Sequence, residues 1–159
     1  MRLALLFVAA LGTDVSLPAQ FQTVTTQSIG DGCNLGPTGC CAVVQSPTTL
    51  TASLDPATNQ LRLDVNALEG CCGIAVPLRL LVIGTQPAFV PLPGFGSTCA
   101  LHVAPVALFA TTADHFLFNL PPLPPLSFLA QAAAYITTPW PGPGADIVTF
   151  TDGVAITLQ

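Results

Sequence analysis

The chain has 159 residues, 51% of them hydrophobic and only 7% charged, with a formal net charge of −5. Lysine is absent, and Arg62 and Arg79 are the only basic residues after Arg2 apart from the histidines His102 and His115. So few cations cannot neutralise phosphates, which excludes nucleic acid and anionic membrane surfaces as partners, and a mean hydropathy of +0.68 excludes intrinsic disorder.

Residues 1–19 read as an export signal. Met1-Arg2 supplies a positive start, Leu3 to Leu11 is an unbroken apolar run, and Leu17-Pro18-Ala19 ends in a small residue suited to cleavage. The run is too short to span a bilayer as a helix. Its expected product is a secreted or cell-surface protein. The remaining 140 or so residues make one domain, long enough to bury about two thirds of the unfolded chain's surface. A membrane β-barrel would need aromatic girdles, and one Trp, one Tyr, 16 prolines and 6 cysteines do not supply them.

Residues 20–47 form an N-terminal lead-in that carries Cys33, Cys40 and Cys41; its polar first half, residues 20–37, is expected to be loose. The domain proper, residues 48–159, reads as strands punctuated by Gly and Pro turns. In 48–54, Leu50, Ala52 and Leu54 share one face. A turn at Asp55-Pro56-Ala57-Thr58-Asn59 follows, and 60–67 then alternates Leu61, Leu63 and Val65 against Arg62, Asp64 and Asn66. Period-two alternation across a short turn predicts an antiparallel hairpin with one wet face. Residues 76–83 are nearly continuously apolar and predict a central strand. A loop is expected over 84–98, then a strand with Leu101 and Val103 on one face and His102 on the other. After a turn at 111–114, Phe116, Phe118 and Leu120 point inward, with His115 and Asn119 outward. Pro121 to Pro125 should run as polyproline-like chain over an edge. Residues 131–137 read as strand or short helix, the Ala-rich stretch 130–134 being the one place that allows a short helix. Residues 147–151 and 154–158 read as a hairpin about Asp152-Gly153. About eight short strands at this spacing predict an all-β fold, an antiparallel β-sandwich of immunoglobulin-like or jelly-roll-like type.

Six cysteines, Cys33, Cys40, Cys41, Cys71, Cys72 and Cys99, in an exported chain point to disulfides, with fifteen possible connectivities. The predicted hairpin brings the doublet Cys40-Cys41 to the end where Cys71-Cys72 leaves. The economical solution joins doublet to doublet and leaves Cys33 with Cys99. Adjacent thiols are not the CxxC spacing of zinc or redox sites, so neither a metal nor a cofactor is expected. The chain contains no G-x-S-x-G elbow, phosphate loop or dinucleotide fingerprint. Most of its carboxylates sit in turns, where Asp caps backbone. Asp114 and His115 are successive strand residues that should face opposite ways, which argues against a catalytic pair. Trp140, within a proline-stiffened loop, is the one candidate for ligand recognition, as a platform for a sugar with Tyr135 or Phe95 nearby.

Several stretches, taken in order, carry a resemblance. They are Gly30-Asp31-Gly32-Cys33, the strand Leu80 to Gly84, Cys99-Ala100-Leu101-His102-Val103-Ala104-Pro105, Phe116 to Pro121, Gln131, and the closing Phe150 to Leu158. From Gly30 to the C-terminus the chain resembles a β-rich domain of secreted proteins from planctomycetes and related environmental bacteria. That resemblance independently implies pairing of Cys33 with Cys99 and brings no catalytic residues; both doublets depart from its pattern. The expectation is an exported, non-catalytic structural or interaction module whose partners are proteins (copies of itself or other surface proteins) or polysaccharide. The alternative is a glycan-binding module using Trp140.

Overall fold

Strand alternation decides the architecture. The computed structural model describes residues 21–33, 48–67, 75–95, 99–121, 124–137 and 146–159. Residues 1–19, read above as an export signal, the cysteines of both doublets and Trp140 lie outside these residues. The described residues form eleven strands: β1 (Val24–Gly30), β2 (Thr49–Asp55), β3 (Gln60–Asn66), β4 (Ala75–Gly84), β5 (Pro87–Pro91), β6 (Ala100–Val103), β7 (Ala107–Thr111), β8 (His115–Asn119), β9 (Leu126–Thr137), β10 (Asp146–Phe150) and β11 (Gly153–Leu158). The only helical element among the described residues is a 3-10 turn at Pro93–Phe95. The fold is all-β, and every strand pair is antiparallel.

The predicted hairpin forms as β2–β3, from Thr49↔Asn66 to Asp55↔Gln60. Its turn is closed by Asp55, whose Oδ2 accepts from Thr58 Oγ1 at 2.7 Å and whose Oδ1 accepts from the Ala57 N–H at 2.9 Å. Asn59 takes the left-handed conformation (φ 53°) that Asn tolerates better than most residues. β8 adds to β3 and completes a three-stranded sheet in the order β2-β3-β8.

A six-stranded sheet runs β1-β11-β9-β4-β7, with β10 also on β9. Leu50, Leu61, Leu63, Val65 and Phe116 of the smaller sheet pack with Leu81, Ala130, Ala132, Val154, Ile156 and Leu158 of the larger in one core. The opposite face of β9 is covered in turn by the β5–β6 pair, through β6. β9 is therefore buried on both sides over 130–134.

Three expectations are corrected and one left open is decided. The lead-in is not loose over 24–30 but forms β1, paired with β11; its polar residues face solvent because it is an edge strand. The loop over 84–98 contains β5, and β7 lies where no strand was expected. Residues 131–137, left open between strand and short helix, are strand within β9, since small alanines allow layers to close on both faces and tertiary burial overrides helix propensity. Residues about Asp152-Gly153 do not turn a hairpin. β10 and β11 run in the same direction along one edge of β9, β10 opposite 133–137 and β11 opposite 126–130, with a bulge between them.

Arg79 joins the two sheets. It lies on the core face of β4 at 2% exposure and donates to the carbonyls of Val65 (3.2 Å), Val76 (3.2 Å) and Ala113 (3.3 Å). Burial pulls its guanidinium below its ordinary pKa, opposed by the charge of Asp114. Removing a buried charged donor strands the acceptors it served, at about 1.5–3 kcal/mol per bond. Arg79→Met should therefore lower unfolding free energy by roughly 3 kcal/mol in urea titration. Arg62→Met, at a half-exposed position, should cost under about 1 kcal/mol.

Candidate functional site

Two clusters hold the chain's polar chemistry. The first lies where β1, β6, β9 and the β10–β11 bulge meet. Gln131, on β9, is 1% exposed and its amide is saturated. Its Oε1 accepts from the His102 N–H at 2.7 Å, and its Nε2 donates to the carbonyls of Ala100 (3.1 Å) and Thr151 (2.9 Å). Thr151, fully buried, accepts from the Ala132 N–H at 2.9 Å and donates to the Asp152 carbonyl at 2.8 Å through its hydroxyl. Asp152 turns outward and takes the Gly32 N–H on its Oδ1 at 2.6 Å.

His102 is half-buried rather than a plain surface residue. Its Nε2 lies 2.9 Å from the Asp31 carbonyl, and its ring is 5.9 Å from that of Phe89. A Cβ on Gly30 would run into the imidazole, and one on Gly32 into the backbone of Phe150 to Asp152, so both positions require glycine for close approach. The Phe150 N–H then donates to the Cys33 carbonyl at 3.1 Å, and Cys33 bonds Cys99. The pairing expected from hairpin topology and from the resemblance is present. Of the stretches that carried the resemblance, Gly30 to Cys33, Cys99 to His102, Gln131 and Phe150 to Gly153 meet at this place, whereas Phe116 to Asn119 lies on β8 in the smaller sheet.

The second cluster lies on the outer face of the three-stranded sheet. Register sets Asp64 opposite His115, and Arg62 stands two residues along β3. Arg62 Nη2 and Nε each reach Asp64 Oδ1 at 2.7 Å, and Nη2 lies 4.0 Å from Asp114. Asp114 Oδ1 is 2.6 Å from His115 Nδ1, so the two side chains do cooperate. Adjacency misled because Asp114 precedes the strand and is free to fold back. That bond holds the Asp114 carboxyl below the usual carboxylate range, aided by the charges of His115 and Arg62.

Asp64, Asp114 and His115 offer three ligand atoms within 4.8 Å of one another. The Arg62 guanidinium pairs with Asp64 and lies 4.0 Å from Asp114, so its single charge offsets one of the two carboxylates. Among the described residues, no serine, threonine or cysteine side chain bonds the second imidazole nitrogen of His115. Sequence reading missed this cluster because only strand register assembles it; Arg62 and Asp64 on the wet face of β3 were the available signal. Phe95 lies at the 3-10 turn, edge-on to Phe150 at 5.4 Å, and Tyr135 is on β9.

Three outcomes test these sites. Gln131→Leu should destabilise by about 2–4 kcal/mol and Gln131→Glu by more, since a carboxylate faces two carbonyls where an amide donated. Opening the 66-residue Cys33–Cys99 loop by a double Cys→Ser change should cost about 4 kcal/mol in the loop-entropy account. Asp114, with its folded-state pKa depressed, contributes stability above the ordinary carboxylate range and loses it as pH falls. By carbon NMR, His115→Phe should move the Asp114 titration up toward the ordinary value.

No family model, curated protein or solved structure matches this chain.

Proposed function

We propose that the chain is an exported, non-catalytic structural or interaction module at the cell surface or outside the cell, built as a sandwich of two antiparallel sheets braced by disulfides. The single observation that supports this most is how the polar side chains are used. Gln131 and Thr151 spend their hydrogen-bonding capacity on backbone, and His102 and Asp152 each hold a backbone group of the segment leading to Cys33. A catalytic constellation needs groups with spare capacity aimed at a substrate. Export is supported by the apolar N-terminal run and by the Cys33–Cys99 bond, which persists in oxidising compartments. No helix among the described residues is long and apolar enough to cross a membrane. The resemblance to secreted planctomycete domains points the same way.

The test has two arms. Expressed with its N-terminal segment, the chain should appear outside the cytoplasm with its cysteines oxidised. It should show no turnover on panels of ester, glycoside, peptide and phosphate substrates. Any activity lost in His115→Ala or Asp114→Asn with the fold intact would overturn the reading. Specific binding in a polysaccharide panel would select glycan recognition instead.

A further inference from the structure

Among the described residues, the six-stranded sheet ends on β7, whose one strand partner is β4. An end strand exposes a row of backbone donors and acceptors, and folded proteins ordinarily blunt such edges with charges, prolines or bulges. Within 106–111 the sequence is Val-Ala-Leu-Phe-Ala-Thr, with no charge and no proline. Val106 is 73% exposed, Leu108 64% and Phe109 38%. The opposite end strand, β1, presents Thr25, Thr26, Gln27 and Ser28 instead.

We infer that β7 pairs antiparallel with β7 of a second copy of this chain about a two-fold axis at Phe109. This rests on the reading of the protein as an interaction module and names its partner. Two features favour a second copy over a different protein. Such pairing sets Leu108 opposite Ala110 and Ala107 opposite Thr111, large against small, with Phe109 meeting its own copy at the axis. No ionisable group occurs from Val103 to Ala113, so two chains of net charge −5 meet here without like charges facing each other, and an oppositely charged partner gains nothing. The exposed side chains of Val106, Leu108 and Phe109 offer well under the roughly 800 Å² per partner of a stable interface, so the pair is weak and reversible.

Sedimentation velocity of the oxidised chain from about 10 µM to 1 mM tests this. The weight-average mass should rise toward twice the monomer. Leu108→Lys, at an exposed position, should keep the Cys33–Cys99 bond and the strand circular dichroism yet remain monomeric throughout. Thr26→Lys, on β1, should dimerise like the parent chain. A monomer at 1 mM, growth beyond two copies, or dimers indifferent to Leu108→Lys would each overturn the pairing. None of these touches the export and turnover results on which the module reading stands, so the two fail separately.

Discussion

A buried primary amide has a fixed inventory: one carbonyl oxygen and two N–H donors, each costly to leave unmet. Gln131 meets all of it at 1% exposure with backbone groups of β6 and of the β10–β11 bulge. One net hydrogen bond contributes only about 1 kcal/mol, but an orphaned buried group costs about 1–3 kcal/mol. A one-residue slip of β6 along β9 would orphan several at once. The amide therefore fixes where the β5–β6 pair sits, and other features follow from that height. His102 lands against Gly30, the Asp31 carbonyl comes within reach of its ring, and Cys33 arrives beside Cys99. The disulfide locks a geometry that the amide network already specifies.

The two arginines after the N-terminal segment are used differently. Arg79 is buried and ties β4 to the carbonyls of β3 and of the β7–β8 turn, so it sets the spacing of the two sheets. Arg62 is half-exposed and spends its charge on Asp64 and Asp114. Neither cation is left to recognise an anionic partner. In a chain with so little charge, that matters more than the net value of −5.

How much was legible from residues alone follows from how local each signal is. The β2–β3 hairpin was readable because Leu50 to Leu54 and Leu61 to Val65 alternate on either side of an Asp-Pro turn. β4 announced itself as an apolar run. β1 did not, since an edge strand with polar residues outward looks like a linker until β11 is seen beside it. The alanines at 130–134 speak for helix by propensity, and only the layers on either side of β9 decide against it. Asp152-Gly153 is ambiguous in the same way. The dipeptide suits a tight turn or a bulge, and the choice is made by Thr151, whose hydroxyl accepts the Ala132 N–H across the strand. The Arg62, Asp64, Asp114 and His115 cluster needed the β3–β8 register, which no local pattern encodes.

These same facts bear on what the molecule can offer another molecule. Groups with chemical capability are concentrated at the amide network, where folding consumes them, and at a surface cluster whose charges pair internally. Among the described residues, what remains outward is largely Thr, Ala and Pro, with large apolar residues gathered at β5 and β7. Such a surface gives no long-range electrostatic steering, so encounters rest on short-range shape and on backbone hydrogen bonding. Backbone edges are the one recognition element that needs no special side chain, because pairing is carried by the main chain and selected by neighbouring side-chain size. Among the described residues, polar side chains are spent largely on holding the chain's own backbone in register, and strand edges are where contact would ask least of them.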